Sequence, residues 1–302
     1  MTQANHTALN LSAGLLSVAA AAVLVLAKLW ALSQTGALSV AATLADSLMD
    51  LMMSLGGFVA IVYAAKPADE DHAFGHTSAE DLAALAQSAF IIASAGIIAA
   101  AAVMRLIEGD VPLPREEAKG IAVIVFSIVV TLGLVAWQRR VARTTGNRVV
   151  EADSLHYIGD LIPNIGAIVA LFASGWFGIG QIDSIVALGA AGFLAFGAIR
   201  IGKAALDALM DRRADPKMIT AIEDIARTFP GVHGFHDLKT RQAGSRVFVN
   251  MHIELDADQS LRDAHAIGAA LRRAIVAQFP NADVLIHKDP IGEPRHPEDP
   301  RP

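Results

Sequence analysis

Two short stretches carry side chains suited to holding a metal ion. Asp46-Ser-Leu-Met-Asp50 sets two carboxylates four residues apart, and His156-Tyr-Ile-Gly-Asp160 sets an imidazole and a carboxylate at the same interval. That spacing puts each pair on one face of a helix. Both lie in or beside strongly apolar sequence, where an ionisable group is costly and marks a functional position by default. Read alone, the H-x-x-x-D pair is a weak motif; its weight comes from convergence with Asp46 and Asp50. Three carboxylates and one imidazole would form a four-ligand cage for a divalent cation. The imidazole leans the choice to zinc, cadmium or iron(II), whereas an all-carboxylate cage would lean to manganese or magnesium.

Two further sets have ligand character. The loop Pro67-Ala-Asp-Glu-Asp-His-Ala-Phe-Gly-His76 offers Asp69, His72 and His76 at D-x-x-H-x-x-x-H spacing. The C-terminal region offers His236, His252, His265, His287 and Asp289. His6 and His296 lie in terminal segments and receive no role. The chain has no cysteine, so disulfides and thiolate metal sites are excluded.

The elements that must position these groups are mostly membrane spans. Of 302 residues, 54% are hydrophobic and 18% charged, well off the balance of a soluble domain. A hydrocarbon core of ~30 Å needs about 20 apolar residues per helix. Six segments fit: 12–33, 38–65, 82–107, 118–138, 153–175 and 182–209. The connections are expected near 34–36, 67–79, 108–116, 139–150 and 175–181. Pro163, just past Asp160, should loosen the fifth span, and Asn164 continues its polar face. No Lys or Arg precedes the first apolar run, so that run is expected to be retained rather than cleaved. Arg139, Arg140, Arg143, Arg148, Arg200, Lys203, Arg212 and Arg213 outweigh Arg105, Arg115 and Lys119, which predicts both termini in the cytoplasm. A net charge of −6 gives no basic footprint for nucleic acid.

After Asp211 the pattern changes. Residues 216–229 have helical spacing, 236–242 read as a strand, and Val247 to Leu255 alternate with period two. A helix over 260–279 and a strand over 282–287 complete an αββαβ order, an α+β domain with its helices on one sheet. The expected division is 1–11 as an N-terminal tail, 12–210 as a transmembrane domain, 211–290 as the α+β domain, and 291–302 as a disordered tail.

The stretches ALSVAATLADSLMDLMMSL, PADEDHAFGHTSAEDLAALAQSAF, EADSLHYIGDLIPN, HDLKTRQAGSRVFVNMHIEL and VLIHKDP, in this order, closely resemble the cation diffusion facilitator (CDF) family. The similarity runs from about Leu15 to Pro290 and is nearest the YiiP/FieF-type bacterial zinc/iron exporters. The resemblance implies a homodimeric metal²⁺/H⁺ antiporter with six spans in the bacterial inner membrane and a cytoplasmic ferredoxin-like domain. It implies a transport site at Asp46, Asp50, His156 and Asp160, with His156 and Asp50 coupling to protons. It further implies a loop site at Asp69, His72 and His76, and a binuclear cytoplasmic site at His236, His252, His265, His287 and Asp289. Two departures stand out. Thr77-Ser78 replaces the Gly-Lys that usually follows the loop's second His, although the acid its Lys would meet remains as Asp211. Lys288 sits between two cytoplasmic ligands, where a cation beside the site would weaken it. The expected activity is export of zinc, or of iron(II) or cadmium, in exchange for protons. No H-E-x-x-H or nucleophile motif supports a membrane metalloenzyme, and metal moving against a counter-flow of protons would separate transport from that class and from a metal sensor.

Overall fold

The computed structural model describes residues 3–35, 38–108, 118–177 and 182–292. Residues 109–116 and 178–181 of the expected loops, the side chains of Pro163 and Asn164, His296 and most of the terminal tail lie outside the described residues, while Glu108 and residues 175–177 are helical rather than loop. The chain divides into two compact units, one of His6–Leu206 and one of Met1–Asn5 with Asp207–Pro302.

The first unit is six long helices: α1 (Gln3–Thr35), α2 (Leu38–Ala64), α3 (Ser78–Glu108), α4 (Ala118–Thr145), α5 (Arg148–Phe177) and α6 (Ile182–Leu209, whose last turn enters the second unit). Among the described residues, five of them carry an apolar stretch long enough to cross a membrane, and α5 is 30 residues long. Large apolar side chains such as Leu26, Trp30, Met52, Ile97, Ile107 and Phe196 are exposed on their outer faces. Such a surface suits lipid and not water. Inside, Ile61, Ala84, Ile91, Val141, Leu155, Leu194 and Ala198 form a continuous core. Small residues let the helices close up. A Cβ on Gly197 would meet Leu155 at 2.8 Å, and one on Gly159 would meet Leu194 at 3.0 Å.

The helices outrun the apolar stretches. Expected to be linked over 139–150, α4 and α5 are separated only by Gly146 and Asn147. Hydropathy marks what lies in lipid, but a helix continues until something stops it. Here Gly146 stops α4 with φ 70° and its N–H bonded to Ala142 O. Asn147 then starts α5, its Oδ1 accepting from Val150 N at 3.0 Å. The tight turn is tied to α3 by an ion pair between Arg148 and the buried Asp81.

The second unit is α7 (Pro216–Thr228), β1 (Gly234–Ala243), β2 (Arg246–Leu255), α8 (Leu261–Gln278) and β3 (Ala282–Pro290), in the expected αββαβ order. Asp215 caps α7 ahead of Pro216, and Ser260 caps α8. β2 is central, antiparallel to β1 and parallel to β3. Val247, Val249, Met251, Ile253 and Leu255 face Ile222, Ala226, Leu271 and Ile275 of the helices. The opposite face of β2 carries His252 and Glu254. Ile253 is 0% exposed, so Ile253→Ala should destabilise this unit by about 2–5 kcal/mol. A shift in its unfolding midpoint checks this; no shift would mean the core is elsewhere.

Candidate metal centres

Within the helical unit, α2 presents Asp50 and α5 presents His156 and Asp160 to one another. His156 Nε2 lies 3.1 Å from Asp50 Oδ1 and 3.9 Å from Asp160 Oδ2. One ligand atom from each of the three falls within 4.8 Å of the others. The His156 side chain is 11% exposed, and its ring meets Phe90 of α3 edge-on. Asp46, one turn before Asp50 on α2, is exposed and stands outside that group, though within electrostatic reach of Asp160. The structure thus brings three of the four proposed residues together.

Two groups near this cluster escape a motif search. Lys28 of α1 donates from Nζ to Ser47 Oγ at 2.6 Å and lies in electrostatic reach of Asp50, Asp46 and Asp160. A lone lysine deep in an apolar helix was the available signal. Asp153 of α5 is buried, with its own polar partners from α1 and α4.

The loop after α2 also gathers its ligands. Asp69 Oδ1 accepts from the backbone N–H groups of Asp71 (3.1 Å) and His72 (2.7 Å), closing a tight turn. Gly75, at φ 85°, returns the chain so that His76 Nε2 lies 3.2 Å from Asp69 Oδ2. Asp69, His72 and His76 each offer an atom within 4.8 Å of the others. His76 is buried edge-on against Tyr63, and its Nδ1 has no hydrogen-bond partner among the described residues. The His72 backbone bond, helped by charge on His76, holds the Asp69 carboxyl below the usual carboxylate range. A lowered folded-state value contributes stability that is present above the unfolded value of about 3.9 and is lost as pH falls through the lower, folded-state value. Asp69 therefore stays ionised at neutral pH.

In the second unit, one rung of the sheet carries three histidines. His236 pairs with His252 across β1 and β2, and His252 with His287 across β2 and β3. Their rings stand 5.1 Å and 4.6 Å apart. Asp289 accepts from this row, 2.9 Å from His252 Nδ1 and 3.1 Å from His287 Nε2. His236, His252 and Asp289 form a ligand-capable group. Glu254, 3.2 Å from His236 Nδ1, was not anticipated, nor was Asp237, whose φ of 48° accompanies a bulge between His236 and Lys239. His265 is exposed on α8, outside this group.

Two expectations change. Lys288 does not stand beside the ligands: strand alternation turns it to the helical face, where its Cε lies 2.6 Å from a Cβ built on Gly268 of α8. Asp211, at φ 58°, is paired with Arg241 at 3.1 Å.

The cation efflux transmembrane domain matches residues 14–210, and the cation efflux cytoplasmic domain matches 214–291. The chain belongs to the cation efflux family. It is a multi-pass membrane protein of a family of metal-cation transporters. It is 41% identical to the cation-efflux pump FieF of Cronobacter sakazakii over 92% of each chain, and 41% identical to that of Serratia proteamaculans, again over 92% of each. Among solved structures, the metal-bound C-terminal domain of the CzcD transporter from Thermotoga maritima is 32% identical, covering 26% of this chain and 91% of that one, with a TM-score of 0.25.

Proposed function

We propose that the chain exports zinc from the cytoplasm in exchange for protons, by alternating access to the Asp50–His156–Asp160 cluster. The observation that carries the reading is the convergence of these three groups from two helices inside an apolar bundle. Relatives named cation-efflux pumps support the direction of transport. Zinc takes four nitrogen or oxygen ligands, and Asp46, one turn along the same face of α2, supplies the fourth by a change of rotamer. Ligands must lose protons to bind metal, so metal and H⁺ exclude one another at the site. A neutral cytoplasm loads metal and a more acidic exterior expels it, with helix groups rocking around the fixed site.

Residues 12–210 form the transport domain, with both termini in the cytoplasm of a bacterial inner membrane. Residues 211–290 form a cytoplasmic domain that binds zinc at His236, His252, His287 and Asp289 and joins two copies as a homodimer. His265 lies exposed on a different element, open to the second copy. Occupancy of this domain and transport are coupled sites. Asp69, His72 and His76 form an accessory site at the membrane edge. His76→Ala should lower zinc flux less than tenfold; a loss as complete as that of a transport ligand would make the loop part of the central site.

Selectivity tests the reading. In proteoliposomes under an imposed pH gradient, cadmium and iron(II) should compete with zinc, and manganese should compete poorly, because the imidazole disfavours it. Manganese competing as well as cadmium would contradict a site selected by His156.

A further inference from the structure

One turn along α5 from the metal cluster, four helices close around a second carboxyl. Asp153 is 6% exposed. Its Oδ2 accepts from Ser17 Oγ of α1 at 2.5 Å and from Gln138 Nε2 of α4 at 2.6 Å. With its one proton on Asp153, Ser17 Oγ is left to accept from Ser54 Oγ of α2 (2.9 Å), and Ser54 shares a 2.8 Å hydrogen bond with the Tyr157 hydroxyl. Two atoms of this network are left over. Among the described residues, Asp153 Oδ1 and Gln138 Oε1 have no hydrogen-bond partner although both are buried, and both residues line a small cavity with Ser54, Gly14 and Gly57.

Both leftover atoms are acceptors. Each buried polar atom left unpaired costs about 1–3 kcal/mol. A single proton on Asp153 Oδ1 satisfies both. The acid O–H then points to the amide oxygen of Gln138, directly or through a water in the cavity, while the amide N–H already serves the acid's other oxygen. That is the reciprocal pairing of a carboxylic acid with a primary amide. A metal ion fits less well. One carboxylate, one amide oxygen and two hydroxyls hold no nitrogen for zinc and fall short of the six to eight oxygens calcium takes.

We propose that Asp153, paired with Gln138, is an intramembrane proton-binding site distinct from the metal ligands, and that it gives up its proton when a divalent cation occupies the neighbouring cluster. The second half rests on metal binding at Asp50, His156 and Asp160. Asp50 of α2 and His156 of α5 are the ligand groups in electrostatic reach of Asp153. Tyr157 of α5 is the other titratable neighbour, while α1 and α4 bring the neutral Ser17 and Gln138. A dication arriving at Asp50 and His156 adds positive charge within that reach and opposes the proton on Asp153. Metal loading would then release one proton beyond those displaced from the ligands.

Asp153→Asn tests both halves, because a carboxamide keeps the volume and reproduces the hydrogen bonds of the protonated acid. Infrared spectra of the purified full-length chain should show the carbonyl band of a protonated carboxylic acid in the metal-free state. Asp153→Asn should remove that band, and zinc should diminish it in the unsubstituted chain. Calorimetric zinc titrations in two buffers of different ionisation enthalpy should then release about one proton fewer per chain from Asp153→Asn. A band that survives Asp153→Asn, or equal proton release by the two proteins, overturns the proposal. If Asp153→Asn fails to fold, Gln138→Met replaces it: losing the amide partner should move the carbonyl band, and an unmoved band overturns the pairing. Absence of any zinc binding that Asp50→Ala removes would instead defeat the metal-site reading, while the band still decides whether Asp153 holds a proton.

Discussion

Asp50→Ala or His156→Ala should reduce zinc flux in proteoliposomes to the background of empty vesicles. Each substitution removes one side of the 3.1 Å approach between His156 Nε2 and Asp50 Oδ1, around which the cluster is built. Zinc held by four protein ligands binds with about 10–16 kcal/mol of apparent free energy. An even share per ligand is roughly 2.5–4 kcal/mol, or about 10²–10³-fold in affinity at 1.4 kcal/mol per tenfold. Loss of Asp50 also removes the nearest carboxylate, leaving Asp160 at 3.9 Å from His156. Flux by equal amounts of correctly sized, folded protein is the measurement. Either variant transporting at the unsubstituted rate would remove the cluster from the transport path.

The second large effect is on affinity as a function of pH. An imidazole binds metal only in its neutral form, and its ordinary pKa is near ~6.5. Metal and protons therefore compete, and zinc affinity should fall as pH falls, by up to about tenfold per pH unit for every proton displaced. The sign is fixed: binding is stronger at higher pH and is lost as pH falls. Calorimetry on the purified chain between pH 7.5 and 5.5 reads the slope directly. An affinity unchanged over that range would show that no titrating group sits among the ligands and would uncouple metal from protons.

Much of this molecule is legible in its sequence because two periodicities report directly on the environment. Runs of apolar residues reveal the helices of the bundle, and the alternation from Val247 to Leu255 reveals the central strand and its buried face. The same alternation, carried to His287-Lys288-Asp289, implies that Lys288 points away from its neighbours, as it does against Gly268. What sequence does not carry is register and depth. That His236, His252 and His287 share one rung depends on strand pairing and on the bulge after His236. That Glu254 joins His236 follows from the same register. In the bundle, the proximity of Lys28 to the cluster depends on how α1 lies against α2, through Ser47. Asp153 reads as an ordinary polar residue at a helix start. Only the extension of α5 back to Arg148 and the approach of Ser17 and Gln138 make it interior. Helix ends were the least legible feature, since Gly146 and Asn147 stop and start helices well outside the apolar stretches.

The central claim is exchange of metal for protons through one site, and it is tested most directly by recording both ions at once. Proteoliposomes containing the chain, loaded with a zinc-sensitive dye and a pH-sensitive dye, are given external zinc with no imposed gradient. Zinc entry should be accompanied by alkalinisation of the lumen as protons leave, and both signals should vanish together in Asp50→Ala. Zinc entry with no change in luminal pH, in vesicles impermeable to protons, would contradict the account.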